Sequence, residues 1–273
     1  MKIIEMGVVI FVKLSILLPT LGDRIHDIIR LLESLIIQDY KNFEVVIVTQ
    51  DHHDKIKNLI KNYQNIEIHH VILERKGLSY SRNKGIEYCS GDIIVLSDDD
   101  CWYHKESLKI IANEFIKNKN LDVLLTQIYD YHNKKFYKSY LNTKNRIMNK
   151  IDLMSKSSIE IAFKKNTCLF KFDERFGLGS NKYTCGEEVD FLLCNYSPDK
   201  NFVYVPIVTV YHPRKETVDD KDKIIAKGAV YSKNFNIFIG SAVLIRDLLI
   251  KKQNNFYYFL QGYKSFKKNL IEK

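Results

Sequence analysis

Three consecutive aspartates, Asp98, Asp99 and Asp100, end the apolar run in IIVLSDDDCW (93–102). Along an extended segment, side chains alternate faces, so Asp98 and Asp100 are expected to point one way and Asp99 the other. Carboxylates aimed at one spot repel unless a cation lies between them, and hard divalent ions such as Mg²⁺ or Mn²⁺ take oxygen ligands. The expected chemistry is a metal bridging a diphosphate. The competing reading is an acidic turn that caps a helix starting near His104.

A second acidic group follows a glycine-rich loop in FDERFGLGSNKYTCGEEVDF (172–191), where Glu187, Glu188 and Asp190 open a predicted helix. Carboxylates at a helix start are favoured by the dipole, so a cap and a general base are both open readings. Arg75, Lys76, Arg82 and Lys84 flank Gly77 and could meet a phosphate or form a solvated helix face. His212, in VYHP, follows an apolar strand as a structural residue or a metal ligand. Cys101 has no basic partner in view and reads as a small buried residue. His52-His53 and His69-His70 lack ligand spacing with other donors.

These residues need a frame to bring them together. KLSILLPT (13–20), FEVVIVT (43–49), IEIHHVI (66–72) and DIIVLS (92–97) read as strands. Helical periodicity lies between them: Ile25 to Ile36, Ile56 to Tyr63, and 77–89. Such alternation predicts βαβ units and a mostly parallel sheet with helices on both faces. Ligands of open α/β sheets collect outside the carboxyl ends of the strands, which places Thr20, Gln50, Asp51 and Asp98 to Asp100 on one edge. Further along, a helix (105–117), a strand (121–128), a Lys/Asn-rich loop (131–150), a strand pair (158–172), a helix (186–196) and a strand (202–210) are expected.

The chain has 273 residues, 45% hydrophobic and 27% charged, so most of it should fold. Of its net charge of +9, the last 53 residues carry +8, with 11 Lys/Arg against 3 Asp/Glu. Such a basic tail points to an acidic surface. Five cysteines without C-x-x-C spacing favour a reducing compartment over a zinc site. The apolar N-terminal stretch (1–20) is interrupted by Glu5 and Lys13 and reads as strand rather than signal peptide or membrane span. No P-loop is present, and no G-x-G-x-x-G follows the first strand, which leaves a metal-dependent nucleotide user. A nucleotidyltransferase is the alternative enzyme, although LPTLGDRI lacks its Gly- and basic-rich signature. An inactive sugar-nucleotide-binding partner of another transferase is the third reading.

Taken in order, LLPT (17–20), GLSYSRNKGI (77–86), GDIIVLSDDDCW (91–102), FDERFGLGS (172–180), GEEVDF (186–191) and VYHP (210–213) resemble the family 2 glycosyltransferases of GT-A fold. The resemblance covers about residues 13–213. It implies a GT-A α/β domain over 1–215, with a donor half of about 13–101 and an acceptor half of about 102–215. A basic, amphipathic helical extension over 216–273 would follow. It further implies inverting transfer from a nucleoside-diphosphate sugar, with UDP the leading nucleotide, to a glycan or lipid-linked acceptor in polysaccharide or glycoconjugate assembly.

Carried over residue by residue, Glu188 is the expected catalytic base. Thr20, Gln50, Asp51, Arg82, Asp98 and Asp99 are the expected donor contacts, and Asp100 and His212 the ligands of Mn²⁺ or Mg²⁺. Two departures stand out: Thr49-Gln50-Asp51 replaces the paired aspartates usual after the second strand, and Glu188 stands where Asp is usual. The expected location is cytoplasmic, with peripheral contact between the tail (236–273) and the anionic inner face of the plasma membrane, or else a tail packed on the catalytic domain. Nucleic acid is not an expected partner.

Overall fold

The computed structural model describes residues 11–214, 221–236, 239 and 256–271. Its frame is one sheet of ten strands. Along the main path β3 (Glu67–Ile72), β2 (Phe43–Thr49), β1 (Leu14–Thr20) and β4 (Ile93–Leu96) are followed by β9 (Ile161–Lys164), β6 (Val123–Asp130), β10 (Phe202–Tyr211) and β5 (Trp102–Tyr103). Two short strands, β7 (Lys135–Phe136) and β8 (Asn145–Arg146), pair with β6 and β10.

The donor half is parallel throughout, with Thr20 opposite Thr49, Thr49 opposite Ile72 and Leu17 opposite Leu96. β6 and β10 are also parallel, while β9 runs antiparallel between β4 and β6. The strand order reverses at β1, whose neighbours are β2 and β4. This opens a crevice at the carboxyl ends, where an α/β sheet takes its ligands.

Every residue of β1 is buried, because helices cover both faces of the sheet. Ile16 and Leu18 face α1 (Ile25–Ile36) and α4 (Ser107–Lys117), in a core shared with Leu31, Leu35, Leu108 and Phe115. Leu17, Val46 and Val48 belong to the opposite core, with Phe191 and Leu192 of α5 (Glu187–Asn195). α1 sits flat because Ile28, Leu31, Leu32 and Leu35 recur on one stripe. α2 (His53–Ile60) and α3 (Leu78–Tyr88) complete the first three crossovers.

The expected α/β architecture with a central sheet and C-terminal helices is present. The expected strand pair at 158–172 is not: a 3₁₀ turn (Ser158–Glu160) leads into β9 alone. The chain then turns at Thr167, whose backbone N–H and hydroxyl both bond to the Lys164 carbonyl. Local turn chemistry ends the strand there.

Toward the C-terminus, among the described residues, α6 (Lys221–Asn234) and α7 (Phe256–Ile271) pack on the sheet-covering core. Phe259, Tyr263 and Phe266 of α7 are buried, and Phe266 stacks on Phe176 at 5.9 Å. The helix backbones approach closely at two glycines: a Cβ at Gly262 would lie 1.9 Å from the Ile225 carbonyl oxygen, and one at Gly228 2.1 Å from that of Phe259. No described helix is long and apolar enough to cross a membrane. The N-terminal residues 1–10, the boundary at 215/216 and the tail residues Phe238, Val243, Leu244, Leu248, Leu249, Lys251 and Lys252 lie outside the described residues.

Candidate active site

Parallel register brings the ends of β1, β2 and β4 to one edge, and a cavity of about 290 Å³ opens there. Its lining includes Thr20, Gln50, Asp98, Asp99, Asp100 and His212, together with Arg24, Lys76 and the loop residues Leu178 and Gly179. Six of the nine site residues expected from sequence therefore share one cavity. Arg82 lies beneath it, and Asp51 and Glu188 stand outside its lining.

β4 stops at Leu96, so the three aspartates form a turn instead of an extended segment, closed by the Cys101 N–H on the Asp98 carbonyl at 3.3 Å. This overturns the expected alternation. Asp98 reaches toward α3, accepting from Arg82 Nη2 at 3.1 Å and from the Ser158 hydroxyl at 3.1 Å. Asp99 and Asp100 share Arg24, whose Nη1 lies 3.3 Å from Asp99 Oδ1 and 2.6 Å from Asp100 Oδ2. Asp99 also accepts from the Thr20 hydroxyl at 2.7 Å. Burial, helped by the charges of Asp100 and Asp98, raises the Asp99 carboxyl above its ordinary value, although Thr20 and Arg24 oppose the shift.

Arg82 is wholly buried, and its second nitrogen, Nη1, donates to Glu187 Oε1 at 3.0 Å. Sequence reasoning placed this guanidinium against the donor's phosphates. The structure commits it to two carboxylates, so it positions Asp98 and the start of α5. Glu188, the next residue, lies in the first turn of α5, which starts behind Gly186; that glycine adopts φ +92° while Val230 of α6 presses on it. Burial first, and then the charge of Glu187, pushes the Glu188 carboxyl well above the usual carboxylate range.

At the β2 side of the cavity, Gln50 Oε1 accepts from the Gly77 N–H at 2.5 Å. Asp51 pairs with Lys76 at 2.5 Å, and that hydrogen bond holds its carboxyl down at about 2. Arg75 pairs with Glu174 and lies over the Tyr80 ring. At the far wall, His212 Nε2 lies 2.9 Å from Asp100 Oδ1, while its buried Nδ1 has no hydrogen-bond partner among the described residues. One carboxylate and one imidazole converging beside an open cavity fit a divalent ion that completes its shell with water and phosphate oxygens.

A second convergence of ligand-type groups, Glu44, Glu67 and His69, lies at the opposite, amino end of β2 and β3. There Lys13 Nζ stands 2.9 Å from both Glu44 and Glu67, so an ammonium already supplies the cation. Cys101 is fully buried, as its sequence setting suggested.

Four residues that tie the candidate site together escaped the sequence. Arg24 had a signal, as a basic residue on the loop just after the first strand. Glu187 had its place beside Glu188. Ser158, and Lys233 of α6, which bonds Asp190 of α5 at 2.6 Å, had none, since their partners lie 60 and 43 residues away.

The fold has solved counterparts. A crystal structure of Staphylococcus aureus TarS 1-349 superposes with a TM-score of 0.68 at 18% identity, over 89% of this chain and 74% of that one. A complex of the same protein with UDP-GlcNAc gives 0.68 at 16% identity, over 93% and 80%.

In sequence, the chain is 30% identical over 121 residues to poly(ribitol-phosphate) beta-N-acetylglucosaminyltransferase TarS of S. aureus, a match covering 42% of this chain and 21% of that protein. It is 27% identical over 109 residues to glucosyl-dolichyl phosphate glucuronosyltransferase of Haloferax volcanii, covering 39% and 35%. These matches span about a third or less of the relatives' own length. Residues 15–178, which run from β1 through the aspartate turn to the loop at Leu178, match the sequence model of glycosyl transferase family 2, and the chain belongs to that family.

Proposed function

We propose that this protein transfers a glycosyl group, with inversion, from a nucleoside-diphosphate sugar to an acceptor hydroxyl during assembly of a surface polysaccharide or glycoconjugate. The observation that carries this reading is the cavity at the β1/β4 reversal, where Thr20, Gln50, the three aspartates and His212 meet. The UDP and UDP-GlcNAc complexes of the structurally similar TarS support a UDP-sugar donor.

In this reading Gln50 and Asp51 lie on the nucleobase side, and Thr20, Asp98 and Asp99 on the ribose and diphosphate side. Asp100 and His212 would hold Mn²⁺ or Mg²⁺, which supplies positive charge against the departing diphosphate. Arg82 fixes the distance between Asp98 and α5 through its two nitrogens. Glu188, in its ionised form, accepts the proton of the attacking hydroxyl, and its raised affinity for a proton makes that form a stronger base than an exposed glutamate. Residues 1–215 serve as the catalytic domain and 216–273 as an extension, of which α6 buttresses α5 through Lys233. A cytoplasmic site of action, with the lysines of the extension near an anionic membrane carrying a lipid-linked acceptor, accords with the basic tail.

The test is a thermal-shift screen of nucleoside diphosphates and their sugars with Mn²⁺, followed by measurement of UDP release from the sugars that bind. A ligand bound only by the native state raises the melting temperature. No shift with any sugar nucleotide, and no release of nucleotide, would overturn the proposal.

A further inference from the structure

Asp100 is engaged at both of its oxygens: Oδ1 lies 2.9 Å from His212 Nε2, and Oδ2 accepts from Arg24 Nη1 at 2.6 Å. The same nitrogen reaches Asp99 at 3.3 Å, so Arg24 bridges the two neighbouring carboxylates. Unlike Arg82, which is locked in the core, Arg24 sits on the loop after β1 with its side chain 44% exposed and lining the cavity. A divalent ion approaching Asp100 and His212 meets a fixed positive charge on the same carboxylate, and in a partly buried cavity that repulsion is weakly screened. A diphosphate reverses the balance, since it attracts both the ion and the planar guanidinium fork.

We propose that Arg24 is a displaceable counter-ion: it neutralises Asp99 and Asp100 in the metal-free protein and passes to the donor's diphosphate when the metal enters, so that metal and nucleotide bind as a coupled pair. The inference rests on the metal-dependent reading given above. Because coupling between two ligands is reciprocal, each must strengthen the other by the same factor, and Arg24 is the side chain that sets this factor.

Trp102, the only tryptophan of the chain, lies two residues from Asp100 and serves as the fluorescence probe for quenching by paramagnetic Mn²⁺. The full chain, Arg24→Gln and Arg24→Lys would each be titrated with Mn²⁺, with and without saturating UDP. UDP affinity would be measured by calorimetry in the presence of Mn²⁺. In the unmodified protein UDP should tighten Mn²⁺ binding at least about fivefold. In Arg24→Gln, Mn²⁺ alone should bind at least about fivefold tighter and UDP at least about fivefold weaker, and Arg24→Lys should restore both toward the starting values. Opposite movements of the two affinities cannot come from loss of folding. Unchanged affinities in Arg24→Gln, or weakening of both, would overturn the counter-ion role while leaving the glycosyl-transfer reading intact. Failure of the unmodified protein to bind either ligand would overturn both.

Discussion

Arg82 Nη1 and Glu187 Oε1 lie 3.0 Å apart in a buried ion pair that ties α3 to the first turn of α5. The other nitrogen of the fork holds Asp98 at the end of β4, so one guanidinium sets the spacing of three elements around the cavity.

Removing the arginine alone leaves a carboxylate without compensation in the interior. Arg82→Met should therefore lower unfolding stability by about 3–5 kcal/mol in urea titrations. Arg82→Lys should recover only part of the loss, because an ammonium lacks the planar fork that serves two carboxylates at once. An unchanged urea midpoint for Arg82→Met would contradict the role assigned here.

Glu188→Gln should leave UDP affinity intact and lower transfer at least about a hundredfold. The variant also carries a signature in stability. The folded carboxyl titrates above its ordinary value of 4.5, so the folded state retains a proton that the unfolded chain has released. Stability of the unmodified protein should therefore fall as pH rises from about 4.5 through the raised value. Glu188→Gln should flatten that descent in urea titrations across the range, and an identical pH profile would rule the Glu188 carboxyl out as its source.

Asp100→Asn and His212→Ala should each abolish the strengthening of UDP binding by Mn²⁺ while sparing metal-free binding. Calorimetry with Mn²⁺ and with a chelator reads this directly. Retained metal dependence in both variants would move the ion elsewhere.

Gly262→Ala should destabilise the protein by about 1–3 kcal/mol, since its methyl group would enter the space of the Ile225 carbonyl and force α6 and α7 apart. The urea midpoint and the near-ultraviolet signal of the aromatic cluster around Phe266 would both register the separation. An unaltered midpoint would mean that the crossing is looser than it stands here.

At the amino edge, burial pushes the Glu44 carboxyl up, yet hydrogen bonds from Ser15, Ser90 and Lys13 outweigh it and hold it at about 2. Such a depressed group contributes stability above its unfolded value, and that contribution is lost as pH falls from about 4.5 toward 2. Glu44→Gln should be less stable than the unmodified protein at pH 7, with the difference shrinking across that acid window. A difference independent of pH would mean that shape, rather than charge, carries the role of Glu44.

The donor half was legible because its signals are local. Apolar runs ending in Thr20, Thr49 and Ser97, separated by helical periodicity, suffice to set a parallel sheet and therefore a shared edge. The aspartate turn was legible in type but not in direction: whether a chain stays extended beyond Leu96 depends on the turn closed by Cys101, not on the side chains. The contacts that tie the site together were not legible. Ser158 on Asp98 and Lys233 on Asp190 join residues far apart in the chain, and no spacing rule reaches that distance. The tail was half legible: its mixture of apolar residues and lysines predicts amphipathic helices, but not that Phe259, Tyr263 and Phe266 are the residues that become buried.

Lys233 grips Asp190 at 2.6 Å and Asp173 at 2.9 Å, while Phe266 seals Phe176. A shortened version ending near residue 215 would therefore lose the support of α5 along with the tail and bare a greasy surface of its own. Such a truncated protein would cling to vesicles or to itself for reasons unrelated to its native address. Whether the tail is drawn to lipid is better judged by reversing the exposed charges of Lys264, Lys267 and Lys268 in the intact chain, which leaves the supporting helices in place.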